Sequence, residues 1–301
     1  MNSVAGAGPI VAATVAVPDA AAAAALYTRI FGYVETSAGQ VPVELAESWG
    51  APQAAGAATV WMQPASGAPG GIRLVEQPAD PAYRPLATPG WSAIEILVRD
   101  TDAVAARLID SPFEIIGPPQ SLKNFPEIRA TQAIGPAGEV LYLTTLPESV
   151  QGFDLPAAAS LVDRVFIAVL ATRSFEETLE WLSVKFAISP RPAHERGVYH
   201  EGDRYGHVRA NPLSMTTLQL TGQSLIQVDE YPHRAADRPV SPGALPPGFA
   251  LASLAVPSVE PFERMALSAP VRPAAAPYDG RAALTIRAPE GWLVELIESQ
   301  H

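Results

Sequence analysis

IVAATVAVPDAAAAAALYTRIFGY, residues 10–33, carries the grammar that decides the fold. Its opening run, Ile10 to Val17, is β-branched or small and stops at Pro18-Asp19, as a buried strand does when it enters a turn. Asp19 is placed to cap a helix whose Ala-rich body carries Leu26, Ile30 and Tyr33 at helical spacing, and Gly32 stands where that helix ends. Two further strand-like runs follow, ATVWMQ (58–63) and GIRLVEQ (71–77), so the first unit reads strand–helix–strands.

The same grammar returns three times. SAIEILVRDTDAVAARLID (92–110) is a strand, a cap at Asp100 or Asp102 and a helix, and ATQAIGPAGEVLYLTTL (130–146) supplies two strands across a Gly-rich turn. DRVFIAVLATRSFEETLEWLSVKFAI (163–188) restarts it, with Ser174 and Glu177 at capping-box spacing, and TTLQLTGQSLIQVDEY (216–231) closes that unit. FALASLAVPSVEPFERMAL (249–267) opens a fourth unit that AALTIRAPEGWLVELIES (282–299) completes. Repetition of one grammar is a stronger organising signal than any single segment. The polar, proline-containing stretch around 149–159 reads as the linker between two halves, 1–148 and 160–301, and 229–248 joins units three and four.

Composition bounds the function. The 301 residues amount to about two domains at roughly 150 residues each. Lys+Arg 20 against Asp+Glu 31 leaves a net charge of −11, which argues against nucleic acid and offers no polybasic patch to an anionic membrane. The absence of cysteine excludes disulfides, thiolate metal sites, a Cys nucleophile and Fe–S clusters. No Lys or Arg precedes Arg29, and Pro9, Pro18 and Asp19 interrupt the apolar start, so neither a signal peptide nor a membrane span is expected and a cytoplasmic protein is. The Gly-rich stretches lack the dinucleotide and P-loop patterns, and there is no G-x-S-x-G elbow.

The units resemble the βαβββ modules of the vicinal oxygen chelate superfamily, which includes glyoxalase I, extradiol dioxygenases and bleomycin-resistance proteins. VAVPD with LYTRIFGY matches the opening of a module, and GPAGEVLYL and RAPEGWLVELIE match its closing strands. The resemblance covers nearly the whole chain. It implies an α+β fold of four βαβββ modules, one with two and three with four, paired into two half-barrel, glyoxalase-like domains.

In that superfamily a module gives one metal ligand from its first strand, usually His, and one from its last, usually Glu. Counting seven residues back from the turn position places the first set at Ala12, Ala93, Arg164 and Leu251; the second falls at Arg73, Tyr142, Gln227 and Glu295. Only Glu295 is of ligand type, and a divalent ion needs several donors in one shell. The resemblance therefore implies a site without metal or cofactor.

Arg164 and Glu295 are expected to share the cup of the second half. Two readings stand side by side: an ion pair that braces two strands, or Arg164 binding a substrate anion while a partly desolvated Glu295 moves a proton. All five histidines lie in the second half, and the segment HERGVYHEGDRYGHVR (194–209) offers His200 as an accessory catalytic group and Tyr199 beside it; His200 resembles the proton-handling, non-ligand His of extradiol dioxygenases. Gln227, Tyr278 and Leu251 complete the expected substrate-binding set.

The function implied is a metal-independent lyase or isomerase acting by proton transfer on a small carbonyl, enol or aromatic compound. A binding protein for an aromatic drug or metabolite is the alternative, and a metal-dependent glyoxalase or dioxygenase with ligands in another register is the second. A small-molecule partner is expected, neither nucleic acid nor membrane is, and the resemblance is compatible with a homodimer.

Overall fold

A computed structural model describes residues 6–123, 125–195, 214–233 and 235–299. The first module comprises β1 (Ile10–Val17), α1 (Ala20–Phe31), β2 (Val34–Gln40), the short α2 (Val43–Ser48), β3 (Ala58–Gln63) and β4 (Gly71–Glu76). The second is β5 (Gly90–Val98), α3 (Thr101–Leu108), β6 (Glu114–Ser121), β7 (Arg129–Ile134) and β8 (Val140–Thr145). The third is β9 (Val162–Thr172), α4 (Phe175–Phe186), β10 (His194–Glu195), β11 (Ser214–Gln219) and β12 (Leu225–Glu230). The fourth has β13 (Gly248–Val256), β14 (Ala283–Arg287) and β15 (Leu293–Glu298).

The capping residues act as their chemistry dictates. The side chains of Asp19 and Asp100 accept from the backbone N–H of Ala22 and Ala103, and Gly32 closes α1 in the left-handed conformation, at φ 71°. The capping-box spacing at Ser174 precedes α4, but the Ser174 side chain makes no cap bond. In the fourth module the expected helix is replaced by a 3-10 turn, Glu260–Met265, with Pro261 in its first turn. No helix among the described residues is long and apolar enough to cross a membrane.

Two curved sheets result, and their composition corrects the expected pairing. Sheet one runs β14-β15-β13-β1-β4-β3-β2, and sheet two runs β10-β11-β12-β9-β5-β8-β7-β6. Module one therefore pairs with module four, through antiparallel β1 and β13, and module two with module three, through antiparallel β5 and β9. The stretch 149–159 joins two modules of the same sheet, so halves at 1–148 and 160–301 do not each own a sheet. The physical reason is that all four opening strands are buried, apolar and alike, so sequence grammar leaves their mutual partners open.

Strict alternation divides each central strand between two faces. Ala13, Val15 and Val17 of β1, Ile94 and Ile96 of β5, and Val294 and Leu296 of β15 enter one large core with the helices. The opposite, concave faces carry separate apolar clusters: Leu251, Leu293 and Ile297 in sheet one, and Ala93, Leu97, Ile167 and Val169 in sheet two. The side chains left for chemistry are those that alternate with these.

Candidate functional site

Register defines two equivalent cups. In sheet one Thr14 lies opposite Arg73 and Ser253 opposite Glu295; in sheet two Glu95 lies opposite Tyr142 and Val169 opposite Gln227. The last-strand positions inferred from sequence, Arg73, Tyr142, Gln227 and Glu295, thus each lie opposite a residue of a module's first strand. The first-strand positions are shifted. Thr14, Glu95 and Ser253 replace Ala12, Ala93 and Leu251, each one pleat further along on the same face, and Val169 replaces Arg164.

The cup of sheet one is a closed polar cluster. Glu295 is fully buried, and four donors saturate its carboxylate. Oε1 accepts from the Trp49 indole at 2.7 Å and the Tyr278 hydroxyl at 2.6 Å; Oε2 accepts from Arg73 at 2.8 Å and Ser253 at 2.5 Å. Arg73 also donates to Thr14 Oγ1 through Nε and Nη2, at 3.0 and 2.7 Å, and through Nη1 to the Tyr278 oxygen. Its guanidinium lies 4.6 Å from the centre of the Trp49 ring. Trp49 follows α2, and Leu45, Ala46 and Trp49 join the apolar cluster that fills the concave face.

Burial alone would push the Glu295 carboxyl up, but Arg73 and the donors from Ser253, Tyr278 and Trp49 hold it below the usual carboxylate range. Arg73 is held above its ordinary value against its own burial, chiefly by Glu295. Such a carboxylate stays ionised and has no free lone pair for a substrate proton. Nor does this cup fit a divalent ion: a guanidinium occupies one ligand position, hydroxyls two more, and the single carboxylate is spent.

The cup of sheet two is different in kind. Glu95 is 9 % exposed, and its one hydrogen bond among the described residues is accepted by Oε1 from Thr144 at 2.6 Å. Burial pushes its carboxyl up to about 7, the Thr144 bond draws it down and the charge of Asp229 adds to the rise. Gln227, partly exposed, donates to Asp229 at 2.9 Å. Ile116, Tyr142, Ile167 and Leu225 supply an apolar wall. Val169 offers no donor atom, and among the described residues no three His, Asp or Glu side chains come together. The described residues of this cup do not by themselves make a metal centre.

The expected site residues are thus dispersed. Tyr278 joins Glu295, and Leu251 belongs to the wall of the same cup. Gln227 faces the other cup. Arg164 stands on β9 of sheet two, makes no hydrogen bond or ion pair to Glu295, and has a buried Nε with no partner. Arg73 takes the place assigned to Arg164. His200 and Tyr199 lie outside the described residues. Thr14, Trp49, Glu95 and Ser253 were missed; their signal was present for Glu95, a carboxylate inside an otherwise apolar strand.

No protein-family model matches the chain, and no curated protein matches it significantly in sequence. Solved structures do match in fold. A glyoxalase I variant from Zea mays aligns with a TM-score of 0.63 at 14% identity, covering 96% of this chain and 93% of its own. A putative dioxygenase from Bacillus subtilis aligns at 0.65 and 12% identity, covering 99% and 87%. The fold is that of the vicinal oxygen chelate proteins: α+β, four modules, two cupped sheets.

Proposed function

We propose that this chain is a metal-independent lyase or isomerase that transfers a proton on a small carbonyl, enol or aromatic compound, and that the reaction takes place in the cup of sheet two with Glu95 as acid and base. The observation that carries this reading is the contrast between the two carboxyls at ligand-register positions. Among the described residues Glu295 is locked as an anion by four donors, whereas Glu95 has one donor, lies buried beside an apolar wall, and has a pKa brought to about 7. A group poised near neutrality gives and takes a proton with the least penalty in either direction. Gln227 and the Tyr142 phenol, beside it in register, would orient the substrate oxygen. Glu295, with Arg73, is on this reading a brace.

The test is proton exchange. A panel of small ketones, enols and phenols is incubated with the protein in D2O and followed by NMR for loss of C–H signal. Exchange catalysed by the unaltered chain and abolished in Glu95→Gln, with the fold intact by circular dichroism, is the expected result. Exchange undiminished in Glu95→Gln refutes the role. The apolar wall also suits a binding protein, and tight ligand uptake by both forms with no exchange in either would decide for that function.

A further inference from the structure

We propose that a cleft of about 330 Å³ where the two sheets meet, sharing only Ala250 and Leu293 with the apolar cluster of the sheet-one cup, binds a small organic anion: a carboxylate carried on an apolar ring. The cleft is built from loops of all four modules, among them the Pro-rich connection between modules three and four. Its charge is unbalanced. Three guanidinium groups, of Arg173, Arg238 and Arg287, line it together with two carboxylates, Asp237 and Glu290. Both carboxylates are engaged with the same arginine, Arg173, at 2.8 and 3.9 Å. Glu290 is further occupied by the Thr172 hydroxyl and the backbone N–H of Arg173.

That leaves Arg238 and Arg287 with no carboxylate among the described residues. Arg238 is fixed by neutral acceptors alone, Thr88 Oγ1 at 3.2 Å and the carbonyls of Phe249 and Trp91 at 3.1 and 2.8 Å, and it lies 5.4 Å from the Tyr83 ring centre. Arg287 spends one nitrogen on the Gly291 carbonyl at 3.1 Å and is otherwise exposed. A partly buried guanidinium held in place without a counter-charge favours an anion from solution, and its rigid fork loses little freedom in taking one. Trp292, which lines the cleft, keeps its indole N–H buried and without an acceptor among the described residues. Trp91, Trp292 and Leu293 give the cleft wall an apolar character suited to a ring, and the volume lies within the small-ligand range of about 300–1,000 Å³.

The experiment is a titration of the full chain with benzoate, read by tryptophan fluorescence, with benzamide as the neutral isostere. Benzoate should quench saturably, and benzamide should bind about tenfold more weakly, the loss expected for one charge-assisted contact. Arg287→Ala, an exposed change, should weaken benzoate several-fold without moving the melting temperature. Arg238→Lys should weaken it while retaining charge, because the fork is lost. Glu95→Gln should leave it unchanged, which keeps this site independent of the proton-transfer reading. Equal binding of the two probes, indifference to Arg287→Ala, or loss of benzoate binding in Glu95→Gln would each overturn the proposal.

Discussion

Arg73→Met tests the sealed cup of sheet one most directly. The substitution keeps the length and apolar stem of the side chain but removes the one cation bonded to Glu295 among the described residues. Two costs follow. Glu295, fully buried, becomes a carboxylate without a counter-charge, and the oxygens of Thr14, Ser253 and Tyr278 lose a shared donor. Breaking one side of a buried pair costs about 3–5 kcal/mol. The three donors that remain, from Trp49, Tyr278 and Ser253, limit the damage toward the lower end of that range. Urea unfolding at pH 7 should therefore show a stability loss of about 3 kcal/mol with an unchanged m-value. The sign of the pH response should also invert. In the unaltered chain Glu295 is held below its usual range, so its contribution is present above the unfolded-state pKa and is lost as acid protonates it. In Arg73→Met burial dominates, the folded-state pKa rises above the unfolded one, and stability improves as the pH falls through it. Arg73→Met combined with Glu295→Leu should regain most of the loss. A drop under about 1 kcal/mol for the single variant, the value of an exposed pair, would refute the claim that this pair is sealed.

Two other outcomes are expected. Glu95 and Glu139 are both buried with carboxyls pushed up to about 7, so the folded state binds more protons than the unfolded one and stability falls as the pH rises from the usual carboxylate range to neutrality. The full effect is about 3 kcal/mol per group by linkage, and Glu139→Gln should flatten part of that slope in thermal melts at pH 5 and pH 8. Trp49→Phe keeps the ring over Arg73 but deletes the indole donor to Glu295; chemical denaturation should register a loss of about 1.5–3 kcal/mol, the worth of a hydrogen bond to a charged group.

The sequence made the modules legible because their signals are local. Buried runs of β-branched and small residues, Asp caps at 19 and 100, and a Gly at the end of α1 depend on neighbours a few residues away. The turn glycines Gly138 and Gly291 take positive φ and fix where β8 and β15 resume, so Tyr142 and Glu295 can be located by counting from them. Three of the four opening-strand positions differ by one pleat from the residue that faces the closing strand, and Arg164 differs from Val169 by five residues. Thr14 lies five residues before the Asp19 cap, not seven, and alternation alone cannot tell one same-face residue from the next. The partner of Glu295 was misread for a different reason. Arg73 and Glu295 belong to the first and last modules, and only the β1–β13 pairing brings them together. Trp49 had no signal at all, because it follows a short helix inserted between β2 and β3.

In chain order the modules of sheet two are nested between those of sheet one, and this sets an order of events during synthesis. β5, β9 and their neighbours are contiguous in the chain, so sheet two can assemble as soon as module three has left the ribosome. β1 has no such opportunity. It runs parallel to β4 on one side, but its other edge waits for β13, and Ile10 meets Leu254 only when nearly the whole polypeptide exists. Throughout that interval a bare, apolar edge strand is offered to any passing chain, the circumstance in which nascent polypeptides pair wrongly. A chaperone that holds the first module until the last arrives would serve this topology better than one acting on the finished protein.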